Sequence, residues 1–178
     1  LALEGRPPTA RRSILGLMAH ELGHRYFAWT LGWLSPQRDM FGEPFATYLE
    51  MKTLRHFLGD STYRRSVESL LNRVTRGDPP TPLSRSNATH FAYDSYRYGY
   101  VPLQILALES VIGEDRMRNL LKTMLEAPAT ERAVADFDFM WRSALQVGVT
   151  EEEWDEWVTG CVEMAPRESP CLRELAGI

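Results

Sequence analysis

Apolar residues recur three and four positions apart along almost the whole chain, the spacing of helices with one buried face. This pattern predicts a long first helix over 13–30, with Pro7 and Pro8 ahead of it and Gly32 just past its end. A loop through Ser35, Pro36 and Asp39 leads to a second helix over 43–58, where Gly59 is placed to cap the C-terminus. Asp60 or Ser61 is suited to cap a third helix that ends near Gly77. The proline-rich stretch 76–90 reads as a surface loop. A fourth helix is expected over 93–112, stopping at Gly113, and further helices over 115–126, 130–146 and 151–159. No segment alternates apolar and polar residues as a half-buried strand would. The expectation is an all-α helical bundle, one domain over 1–178, with 161–178 as a tail.

The candidate chemistry sits in the first helix. His20-Glu21-Leu22-Gly23-His24 is an HExxH pattern, and residues four apart lie one above the other on a helix face. Two imidazoles can therefore reach one metal ion, with Glu21 beside them as a general base toward a water. Gly23 costs a helix about 1 kcal/mol against Ala, which points to something packed closely on that turn.

A catalytic zinc site has three protein ligands and one open position. Glu43, eighteen residues beyond His24 at the opening of the second helix, is the candidate third ligand, because a helix–loop–helix turnaround folds it back against the histidines. Pro44 fits the first turn, where its missing N–H is no loss. The competing role for Glu43 is an acid favoured by the helix dipole. Glu50, two turns on, shares the face of Glu43 as a partner for a ligand histidine or as solvated surface. One zinc per chain is the expected cofactor, although two His and a carboxylate also suit non-haem iron.

Composition narrows the partners. Net charge is −4, with 24 acidic and 20 basic residues, and this gives no basis for nucleic acid or an anionic membrane as partner. No stretch approaches the roughly 18 apolar residues of a membrane span, and no signal-peptide layout opens the chain, so localisation is not readable. The chain begins with Leu rather than Met and is expected to be a piece of a longer protein, with flanking domains outside it. Cys161 and Cys171 are too few for a disulfide framework and lack zinc-site spacing; they form one bridge in an oxidising compartment or remain free in the tail.

HELGH followed after eighteen residues by Glu43 and -PFATYLE- resembles the gluzincin metallopeptidases of the aminopeptidase N type. Further on, -YRYGYVPLQILALESVIGEDRMRNLLKTML- resembles that family's long helix, which opens with a Tyr three residues before a Gly and closes at a Gly-Glu turn. Residues 137–158 resemble its final helices, so the likeness spans about residues 12–160. The resemblance implies a thermolysin-like C-terminal catalytic subdomain around a zinc site, without its N-terminal sheet. It implies zinc-dependent hydrolysis of a peptide or protein substrate, with His20, His24 and Glu43 as metal ligands and Glu21 as base. By motif position it gives Tyr96 the role of hydrogen-bonding the oxyanion, which Tyr93, Tyr98 and Tyr100 compete for.

Several residues depart from the family pattern. Ala28 and Trp29 stand where the family commonly has Gly-Asn, and Pro44 replaces its usual Gly. The segment by which the family reads a substrate's free N-terminus would fall before residue 1 and is absent from this sequence, either cut away or never present. The exopeptidase half of the resemblance is therefore unsupported, and endopeptidase action also fits. Two other readings remain: an inactive zinc-binding domain serving as scaffold or interaction module, and a hydrolase of non-peptide substrates. Among minor signals, Arg76-Gly77-Asp78 reads as a turn after a helix, and Asn87-Ala88-Thr89 is a glycosylation sequon only in a secretory pathway. His56 and His90 lack ligand spacing and read as ordinary histidines.

Overall fold

The computed structural model describes residues 7–76 and 80–177, and every regular element among them is helical. Helix α1 (Pro8–Tyr26) begins with Pro8 in its first turn, where a proline costs no hydrogen bond, so it starts earlier than the apolar spacing suggested. It also ends earlier, because residues 27–31 turn away and Gly32, at φ 72°, continues into a loop. Helix α2 (Glu43–Leu58) has the expected limits, closed by Gly59 at φ 82°. In α3 (Asp60–Val74) the cap position belongs to Gly59; Asp60 is the first helical residue and accepts from Arg55 Nε at 2.7 Å. The expected helix end at Gly77 and the turn at Gly77-Asp78 lie outside the described residues, and α3 stops before them.

The loop after α3 contains a short α4 (Ala88–Phe91), capped by the Asn87 side chain. The expected fourth helix is continuous from Tyr96, but its first turn, Tyr96–Tyr100, is π-helical before the regular α5 (Val101–Ile112). Helix α5 is the centre of the molecule: Val101 to Leu108 are all buried, and α2 and two later helices, Glu151–Trp157 and Pro170–Ala176, pack around it. Helix α6 (Glu114–Glu126) follows Gly113. The expected helix over 130–146 is two helices, α7 (Ala129–Ala133) and α8 (Phe137–Gln146). The break falls at Asp136, whose carboxylate accepts from the Phe139 N–H at 2.8 Å and caps α8. Helix α9 (Glu151–Trp157) opens on a Thr150–Glu153 capping box, and Arg116 of α6 holds Glu153 through two bonds of 2.6 and 2.7 Å. That pairing lowers the Glu153 pKa to about 2.

The expected tail is packed. Cys161 and Val162 are fully buried, and α10 (Pro170–Ala176) docks Leu172 and Ala176 among α3, α5 and the turn after α9. Cys161 and Cys171 are disulfide-bonded, with their Cα atoms 5.9 Å apart. Burial of Leu172 and capping by the Ser169 hydroxyl give this segment the apolar anchor that its polar composition obscures.

Two features set the position of α1 and α2. First, the helices cross at small residues: a Cβ on Gly23 would stand 2.8 Å from the Ala46 backbone, and one on Gly16 would stand 2.8 Å from Glu50 Oε1. The close packing anticipated at Gly23 is thus against Ala46. Second, the loop joining them is pinned by a buried amide. Gln37 donates to the Leu83 and Ser86 carbonyls at 3.3 and 3.0 Å and accepts from the Phe137 N–H at 2.8 Å. The side of α1 turned away from α2 leaves Leu17, Met18, Leu22 and Tyr26 exposed.

Candidate metal centre

The approach of α1 to α2 brings three donor atoms together. One oxygen of Glu43 lies 3.0 Å from His20 Nε2 and 3.3 Å from His24 Nε2, and the donor atoms of the three residues all lie within 4.8 Å of one another. Around a tetrahedral ion with bonds of roughly 2.0–2.1 Å, neighbouring ligand atoms are separated by about 3.3 Å. Spacing and donor chemistry, two imidazole nitrogens and a carboxylate oxygen, therefore fit a zinc ion. All three side chains are partly buried, at 13%, 21% and 28% exposure, so the ion's charge would be only partly screened.

His20 is oriented from behind. Its Nδ1 lies 3.5 Å from Glu50 Oε2, and Gly16 leaves the room for that carboxylate against α1. Glu50 foremost, then Glu43, raise the His20 pKa above its ordinary 6.5 against the opposing effect of burial. A metal needs the neutral ring, so protons compete more strongly here than at a free histidine. A zinc ion held here would bind less tightly as pH falls through the raised His20 pKa, so the loss begins at a higher pH than for a free histidine, and Glu50→Gln should move it to lower pH. Zinc titration against a competing chelator at several pH values checks this; a profile unmoved by the substitution would remove Glu50 from the account.

Glu21 is exposed and lines a cleft of about 410 Å³ together with His24, Glu43, Trp29, Arg38 and Arg97. It is thus turned to solvent beside the donor cluster rather than into it. Trp29, 85% exposed, forms an apolar part of the rim. Arg97 is fixed there by Asp94, which accepts from its Nη2 at 2.8 Å, and its guanidinium lies 5.0 Å above the Tyr98 ring.

The tyrosines divide differently from the motif reading. The hydroxyl of Tyr96 donates to the Thr81 carbonyl at 2.9 Å, and its ring packs on Phe91, Tyr100 and His90 rather than on His20 or His24. Burial raises its pKa. Tyr98 instead stacks on His20 at 6.0 Å between ring centroids, with its hydroxyl facing Glu43. Burial, and after it the hydrogen bond and charge of Glu43, raise the Tyr98 pKa. The reason is the π-helical turn: Val101 N–H bonds back to the Tyr96 carbonyl, five residues away, and this extra residue alters the angular order of the side chains. The motif position, a Tyr three residues before Gly99, gives Tyr96. Gly99 packs tightly on Val74 of α3, where a Cβ would meet its Cγ1 at 2.8 Å. Tyr98 was legible only as one of four candidates.

Of the other histidines, His90 bonds the Asn87 backbone through Nδ1 at 3.1 Å in the α4 cap, and His56 packs edge-on against Phe57. Neither joins the cluster. No helix among the described residues is long and apolar enough to cross a membrane. No family model matches the chain, and no curated protein matches it.

Proposed function

We propose that this chain is a zinc-dependent peptidase domain of gluzincin type, related to the thermolysin-like helical subdomain its motifs resemble. The observation that carries this reading is the convergence of His20, His24 and Glu43 beside a cleft that Glu21 also lines. A zinc ion held by those three residues supplies Lewis acidity and lowers the pKa of water toward neutrality. Glu21, which is not a ligand, accepts the proton of the water that attacks a peptide carbonyl and passes it to the departing amine. Tyr98, next to His20, takes the place that motif position gave Tyr96: its phenol donates a hydrogen bond to the oxyanion. The exposed apolar face of α1 supports the expectation that flanking domains cover this helix in a longer protein.

The test is metal content by plasma mass spectrometry beside cleavage of a peptide library. About one zinc per chain is expected, lost in a His20→Ala, His24→Ala double variant, with cleavage that stops on chelation and returns with zinc. Zinc binding without cleavage of any peptide would sink the peptidase reading and leave a metal-binding scaffold. Tyr98→Phe is expected to lower kcat about a hundredfold with little change in zinc content, while Tyr96→Phe leaves kcat within about twofold. The reverse ranking would return the oxyanion to Tyr96.

A further inference from the structure

A second polar cavity, of about 230 Å³, has Tyr98 in its wall. Arg12 of α1, Thr47 of α2, and Ser66, Ser69 and Arg73 of α3 line it with Tyr98. The polar groups facing it are two guanidinium groups, several hydroxyls and one carboxylate, so donors predominate. Arg12 is set in place by a 2.8 Å bond from its Nη2 to the Ser66 hydroxyl, and that hydroxyl is fixed in turn by the Thr62 carbonyl. Arg73 makes no ion pair among the described residues. The one carboxylate in the wall, Glu50, is turned against His20.

Thr47 supplies an independent observation. It is only 6% exposed, yet its hydroxyl has no hydrogen-bond partner among the described residues. Leaving a buried hydroxyl unpaired costs about 1–3 kcal/mol, and an apolar residue of the same shape would fill the position more cheaply. A donor-rich cavity walled by an unpaired buried hydroxyl and two cations is built for an oxyanion.

We propose that this cavity is a carboxylate subsite, which holds a carboxylate of the peptide bound across the metal centre. The link to the centre is short: Tyr98 forms one wall and stacks on His20, and Glu50 forms another and touches its Nδ1. The assignment rests on the peptidase reading for the identity of the ligand, but the binding chemistry stands on the cavity alone. A carboxylate can come from a peptide's C-terminus or from an acidic side chain, and both present the same two oxygens to Arg12 and Arg73.

Three N-acetylated tripeptides of otherwise identical sequence separate these cases: one with a free C-terminus and Gln, one with a C-terminal amide and Glu, and one with a C-terminal amide and Gln. Each is titrated calorimetrically into the metal-free chain and into the zinc-loaded Glu21→Gln variant. The peptide with no carboxylate should bind at least about tenfold more weakly than one of the other two, and the tighter of those identifies the source. Arg12→Gln and Arg73→Gln should each remove most of that preference without changing zinc content. Thr47→Val should reduce it about fivefold while leaving the melting temperature unchanged or higher. Equal binding of all three peptides, no binding of any, or a loss in the arginine variants that is the same for all three overturns the subsite. Cleavage without carboxylate preference would sink the subsite alone. Carboxylate preference in a chain that cleaves nothing would sink the peptidase reading alone.

Discussion

Glu21→Gln is expected to abolish peptide cleavage, by about 10²–10⁴-fold in kcat, while the chain keeps about one zinc. The substitution preserves shape and removes only the capacity to accept a proton. Glu21 is exposed on α1, lines the cleft, and stands outside the cluster of His20, His24 and Glu43, so nothing that holds the ion is touched. It also takes part in no ion pair among the described residues, so folding should be unaffected. Steady-state kinetics on a peptide cleaved by the unsubstituted chain, paired with metal analysis, gives the answer. Retention of a tenth or more of the activity would mean that the base lies elsewhere. Loss of zinc together with activity would leave the role of Glu21 structural.

The largest effect on stability should come from Gly23→Val. A Cβ at this position would stand 2.8 Å from the Ala46 Cα and 3.2 Å from its Cβ, and the first of these is backbone that cannot swing aside. Removing Gly from a helix gains up to about 1 kcal/mol, but overpacking at a contact this close typically costs about 1–3 kcal/mol, and Val adds branching at the point of contact. The net expectation is a loss of about 1–3 kcal/mol, read by denaturant unfolding of the metal-free chain. Because Gly23 lies between the two histidines, forcing α1 from α2 also draws them from Glu43, and zinc affinity should fall at least about tenfold. Gly160→Ala is the control, since a Cβ there meets nothing within 4 Å and the backbone has no positive φ. If Gly23→Val were as mild as the control, the crossing would be looser than described and the metal geometry would not depend on it.

The parts of the molecule visible in the sequence are those governed by local rules. Helix α2 runs from Glu43 to Leu58 as its Pro44 and Gly59 indicate, because first-turn prolines and left-handed glycines act within one turn. The HExxH pair and its distant Glu43 were legible for a related reason: their spacing is set by one helix and one turnaround. What escaped depends on contacts across the chain. The division of 130–146 into two helices follows from Asp136 capping α8, and periodicity alone reads through such a break. Gln37 looks like an ordinary loop residue until its amide is seen joining three segments far apart in sequence. Residues 161–178 looked like a tail because Leu172 acquires meaning only through the groove it enters. Tyr98 was hidden among neighbouring tyrosines by the turn that carries it.

That turn also makes chain length, rather than side-chain identity, a determinant of the centre. Removing Gly99 would let the Val101 N–H close an ordinary four-residue bond and leave the buried face of α5 intact. The segments on either side would keep nearly their present directions, because a π-turn holds about one residue more than an α-turn, and only the side chains within the turn would be redistributed. Such a chain would keep all four tyrosines and fold around the same core, yet no phenol would face His20 in the same way. The segment is therefore a place where an insertion or deletion is silent in composition and decisive in register.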